Sequence, residues 1–154
     1  MDNQFVLFKM VGELYGINIT CVSEIIRMQQ VTKIPKTPDF VEGIINLRGR
    51  IIPVIDLKKQ LDLGGVEQTN DTRIIVVSID QETVGLIVEE VTEVLTLPSE
   101  SIEHISSMET KINLGFIQGI GRWNDKLIIL LETKKILLDQ QFRELTELVL
   151  EEPA

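Results

Sequence analysis

The chain carries one strand-rich pattern twice, and that repeat limits what it can fold into. Residues 41–61, VEGIINLRGRIIPVIDLKKQL, overlay residues 117–137, IQGIGRWNDKLIILLETKKIL, without a gap. Gly43 meets Gly119, Ile44 meets Ile120, Ile52 meets Ile128, Asp56 meets Glu132, and Lys58-Lys59 meet Lys134-Lys135. An earlier pair follows in the same order: YGINITCVSEII (15–26) overlies VGLIVEEVTEVL (84–95), pairing Gly16 with Gly85, Val22 with Val91 and Ser23-Glu24 with Thr92-Glu93. Two ordered matches point to a duplicated unit of about seventy residues, too few copies for a solenoid.

Each copy reads as five short strands by its apolar runs and turn residues. In the first copy they fall at about 4–10, 14–20, 25–31, 40–47 and 51–57. In the second they fall at about 72–79, 83–88, 93–97, 116–122 and 126–132. Runs such as IIVVSI and LIILL are continuous rather than alternating, which implies burial on both strand faces. Five short strands close most simply as a small barrel, which removes exposed edges. The expected fold is therefore all-β, with lobes over about 3–62 and 72–137 and a Gly-containing linker at about 63–71. From Thr133 the period changes. Leu138, Phe142, Leu145 and Val149 share one helical face, so the spacing predicts a C-terminal helix over about 133–150.

The net charge of −9 argues against nucleic-acid binding and against docking on an anionic bilayer. No apolar run reaches membrane-spanning length, so direct membrane insertion is not expected, and the N-terminus lacks a secretory pattern. With a lone Cys21 there is no internal disulfide, which fits a cytoplasmic chain. Aromatic residues make up only 5% of the sequence, so the core must be Ile, Val and Leu.

Catalytic constellations are missing. His104 stands alone in a polar stretch, without the further His or Cys a zinc site requires. There is no Gly-rich phosphate loop, GxSxG elbow or HExxH helix. We expect no catalytic residues, no metal and no cofactor, and a binding role instead.

The sharpest local feature is PKTPDFVEGIINLRGRIIPVIDL at 35–57. Two Ile/Val-rich strands flank Arg48-Gly49-Arg50, with Gly49 supplying the positive φ of a tight hairpin. Pro53, which lacks an N–H, suggests that the second strand lies at a sheet edge or carries a bulge. The second copy has Arg122-Trp123-Asn124-Asp125 at this hairpin, so the Arg-Gly-Arg chemistry belongs to the first copy alone.

The string PxxPxFVxGIINLRGxIIPVIDL closely resembles the signature of the chemotaxis coupling protein family, CheW, and the resemblance extends over about residues 3–140. It implies two tandem five-stranded SH3-like barrels around a shared apolar core. It also implies a non-enzymatic adaptor that binds the helical cytoplasmic tip of methyl-accepting chemoreceptors and the regulatory domain of the histidine kinase CheA. Such an adaptor is recruited to membrane receptor arrays from the cytoplasm.

A helical tip needs an apolar groove with a polar rim. Val22, Ile25, Ile26, Met28 and Val31 are the candidate wall, with Asn46, Arg48 and Gly49 at the hairpin tip as further receptor-binding candidates. Gly119, Ile120 and Leu127 are the kinase-binding candidates. Two other readings stand beside this one. The chain could be a CheW-like module of a larger kinase or coupling–receiver protein, or a small-barrel ligand-binding domain, which would need a deep polar pocket.

Overall fold

The computed structural model describes residues 3–104 and 115–137. Within them, eleven strands and two short helices follow in order: β1 (Asn3–Met10), β2 (Glu13–Asn18), β3 (Val22–Arg27), β4 (Val41–Leu47), β5 (Arg50–Asp56), α1 (Leu57–Gln60), β6 (Arg73–Ile79), β7 (Glu82–Val88), β8 (Glu90–Leu97), β9 (Ile102–His104), β10 (Ile117–Trp123), β11 (Lys126–Leu131) and α2 (Thr133–Leu137). The fold is all-β, as expected. Residues 138–150 of the expected C-terminal helix lie outside the described residues.

The strands form a six-stranded sheet, β8-β1-β2-β11-β10-β9, and a five-stranded sheet, β3-β6-β7-β5-β4. Each sheet takes strands from both halves of the chain. The opening hairpin of one copy pairs with the closing hairpin of the other, through parallel contacts Val54↔Gly85 and Leu130↔Gly16. The repeat is therefore visible as a pseudo-twofold exchange. The segments 3–62 and 72–137 describe the duplication in sequence, and the sheets cut across them.

Burial on both faces explains the continuous apolar runs. Along β6, Ile75 and Val77 point into a core shared between the sheets, while Ile74 and Val76 point into a second core inside the five-stranded sheet. Along β1, Val6, Phe8 and Met10 join the shared core and Phe5 and Leu7 a third core inside the six-stranded sheet. Each sheet thus wraps a small core of its own. Among the described residues the strand ladders do not close into a continuous barrel, although an isolated Thr32↔Ile44 bridge ties the chain after β3 to edge strand β4. Fully burying one such Leu or Ile side chain contributes roughly 1.5–3 kcal/mol.

Strand bounds and the place of Pro53 differ from the sequence reading, and β9 (Ile102–His104) was not among the expected strands. The third strand runs Val22–Arg27 instead of 25–31, because residues 28–31 leave the ladder. Pro53 is not on an edge strand, since β5 lies between β7 and β4. Proline is accommodated because its partner Ile44 directs both backbone groups away, to Thr32, in two 2.9 Å bonds. Pairing with β7 begins only at Val54, so no ladder bond needs a Pro53 N–H. The one-residue irregularity sits instead on β4, between Val41 and Gly43.

Candidate partner-binding surface

The β4–β5 hairpin closes through two residues in the left-handed region, Arg48 (φ 51°) and Gly49 (φ 87°). This pairing fits the two-residue turn whose twist matches the flanking strands. Asn46 Oδ1 accepts a 2.8 Å bond from the Gly49 N–H, so Asn46 braces the turn. The sequence reading assigned the positive φ to Gly49 alone. An arginine there is uncommon, and costs on the order of 1 kcal/mol.

Arg48 forms an ion pair with Glu24 on β3, the far edge of the same sheet. The hairpin tip is thereby drawn over to the β3 edge. The Arg48 side chain remains 70% exposed and Glu24 28%. An exposed pair of this kind contributes only about 0.2–1 kcal/mol, so its effect is to aim the guanidinium rather than to hold the fold.

The candidate groove residues divide sharply. Ile26, Met28 and Val31 pack against the core of the five-stranded sheet, and Val22 packs against the shared core. Only Ile25 stands free, at 40% exposure. Of these candidates, Ile25, Asn46, Arg48 and Gly49 are exposed. The other four are half-buried.

The kinase-facing candidates divide as well. Gly119 is buried, and a Cβ built on it would lie 2.5 Å from the Glu103 carbonyl oxygen, so its role is close backbone packing against β9. Ile120 is half-buried opposite Ile129. Leu127 is 60% exposed, the most exposed of the large apolar side chains found among the described residues.

Sequence reasoning missed Ile51 and Val94, exposed at 52% and 50%. The repeat could have found them: Val94 is the counterpart of Ile25, and Ile51 the counterpart of Leu127. It also missed Glu24 as the partner of Arg48, although that residue lies in an aligned segment.

Beneath the surface, two charged contacts fix the connections. The Asp56 carboxylate, on a residue only 3% exposed, caps α1 by accepting from the Lys59 N–H at 3.1 Å, and accepts from the Val66 N–H at 2.9 Å. Lys58 pairs with Glu89 at 2.9 Å. The Lys58 hydrogen bond holds the Glu89 carboxyl below its ordinary value, the Val11 N–H adding to this and partial burial opposing it. Tyr15 is raised by burial first and by Glu13 second.

Comparison with known proteins adds the family. A CheW-like domain model matches residues 4–141. A "Chemotaxis protein CheW" of Klebsiella aerogenes is 36% identical over 92% of this chain and 85% of its own length. "Chemotaxis protein CheV3" of Helicobacter pylori is 31% identical over 85% of this chain, which spans 43% of that protein. The solved structure of a scaffolding protein, TtCheW from Thermoanaerobacter tengcongensis, superposes with a TM-score of 0.78 at 45% identity, covering 86% of this chain and 90% of the other.

Proposed function

Because the chain belongs to the CheW family of non-enzymatic chemotaxis coupling adaptors, we propose that it links the cytoplasmic tips of chemoreceptors to the regulatory domain of the histidine kinase CheA. On this reading it is a cytoplasmic protein recruited to membrane receptor arrays, where it supports their assembly. The observation that carries the reading is the Arg48 tip, an exposed cation held in a disfavoured backbone conformation and aimed by its ion pair with Glu24. A guanidinium suits carboxylates and free carbonyls at the end of a helical hairpin. Leu127, on the other sheet, serves the kinase contact, where an exposed aliphatic side chain can pack against a strand-rich partner.

The test is reconstitution. A receptor-tip fragment and the kinase regulatory domain are captured together only when the chain is added. Arg48→Glu removes the receptor fragment from the complex while circular dichroism and Tm stay near wild type. Full receptor capture by Arg48→Glu would sink the assignment of the hairpin tip.

A further inference from the structure

Arg27 and Arg73 stand directly opposite one another on β3 and β6. Side chains so opposed share a face of the sheet, with Cβ atoms about 4.5–5.5 Å apart, and like charges placed there repel. Among the described residues, neither arginine has a carboxylate within ion-pair distance. The Arg73 guanidinium donates from Nη1 to the carbonyls of Asn70 and Thr72, at 2.8 and 2.9 Å, which leaves its Nε and Nη2 donors. The Arg27 side chain is exposed. Glu24, three residues earlier, is already committed to Arg48. From Ile25 to Pro38 the chain has Arg27, Lys33 and Lys36 and no acid, although the whole carries a net charge of −9.

The repeat shows that the scaffold does not require this pair. Continuing the overlay that sets Gly16 on Gly85 puts Arg27 on Thr96 and Gln4 on Arg73. Gln4 and Thr96 are themselves directly opposed, on β1 and β8. The same cross-strand place is neutral in one sheet and doubly cationic in the other.

An apolar side chain stands next to the cations. Ile25 lies two residues before Arg27 in the regular part of β3, so both project from one face, and both are exposed. Glu24, which holds Arg48, projects from the opposite face of the same strand. Positions two apart on a strand are about 6.8 Å apart, and positions four apart on a helix rise about 6 Å. A helix lying along β3 can therefore set an aliphatic residue on Ile25 and, four residues away, a carboxylate between the two arginines.

Resting on the receptor reading above, we propose that Arg27 and Arg73 form a carboxylate clamp. With Ile25, it recognises an aliphatic residue and an acid spaced i, i+4 on a receptor-tip helix. The bound carboxylate accepts charge-assisted hydrogen bonds from both guanidiniums and relieves the repulsion that the free chain carries.

Titration of a receptor-tip fragment against full-length variants tests this. Arg27→Thr, which copies the second sheet, should weaken the fragment roughly tenfold and leave the kinase regulatory domain unchanged. Its Tm should hold or rise, because a like-charge contact is removed. Each acidic residue of the fragment is then changed in turn to its amide. One of these changes should cost about tenfold against wild type and nothing further against Arg27→Thr, the coupling of a direct pair. Unchanged receptor affinity in Arg27→Thr overturns the clamp, and if Arg48→Glu still weakens the fragment, the receptor reading outlives it. Additive losses for every acidic residue also overturn the clamp, since they mark a diffuse electrostatic attraction. So does a fall of several degrees in the Tm of Arg27→Thr, the mark of an arginine that serves the fold. If wild type does not bind the fragment, the receptor reading and the clamp fall together.

Discussion

The hairpins β4–β5 and β10–β11 share a backbone and differ at the tip. Each has one irregularity at the matching place, between Val41 and Gly43 and between Ile117 and Gly119. Each is tied off by the same main-chain bond, Asp56 N–H to Phe40 at 2.7 Å and Glu132 N–H to Phe116 at 2.9 Å. Each turns through two left-handed residues, Arg48-Gly49 in one and Asn124-Asp125 in the other. Asn and Asp adopt that conformation more readily than Arg. The second tip therefore satisfies its backbone, whereas the first carries strain to present a cation. The two copies share the scaffold and differ in what the tip presents.

The scaffold half of that comparison predicts the largest effects. Gly43→Ala should cost about 3 kcal/mol or more in chemical denaturation, because its Cβ would lie 2.0 Å from the Thr32 carbonyl oxygen at φ 145°. Gly119→Ala should cost less, since its clash is 2.5 Å and its φ needs no glycine. Equal costs, or tolerance of Gly43→Ala, would contradict the tighter approach and positive φ at the first bulge. Asp56→Ala comes next, at about 1–3 kcal/mol, since it removes a helix cap and leaves the Val66 N–H without its acceptor.

The tip half predicts small stability effects with large binding effects. Arg48→Asn copies the second hairpin. It relieves backbone strain and loses an exposed ion pair, terms of similar size, so stability should stay within about 1 kcal/mol of wild type. A larger loss would mean that the ion pair holds the five-stranded sheet together.

The smallest effect concerns pH. Glu89 is depressed by Lys58, while the counterpart of Lys58 in the second copy, Lys134, is exposed. A depressed carboxyl stabilises the fold above its unfolded value, about 4.3, and that contribution fades as pH falls through the folded value. Partial exposure keeps it below about 1 kcal/mol. Glu89→Gln should flatten the loss of Tm as pH falls below about 4.3, and an unchanged acid slope would contradict the pairing.

Strand content, the duplicated hairpins and the Arg48 tip were legible because each has a local signature: an Ile/Val run, a turn dipeptide, a repeated glycine. The exchange of hairpins between sheets was not, because the parallel contacts Val54↔Gly85 and Leu130↔Gly16 join residues far apart in sequence with no local mark of their pairing. The groove list was only partly legible for a related reason. Along β3 the exposed and half-buried positions alternate, and hydrophobicity is the same on both faces: Ile25 faces out and Ile26 faces the core. Glu24 was visible as a residue, but its partner lies across the sheet.

Separate titrations of the receptor-tip fragment and the kinase regulatory domain against Arg48→Glu and Leu127→Arg most directly test whether the two copies present different surfaces. Arg48→Glu should weaken the receptor fragment at least tenfold, about 1.4 kcal/mol, and leave the kinase domain unchanged. Leu127→Arg should do the reverse. If either variant weakens both partners equally, or neither variant weakens any, the division of labour between the two hairpins is wrong.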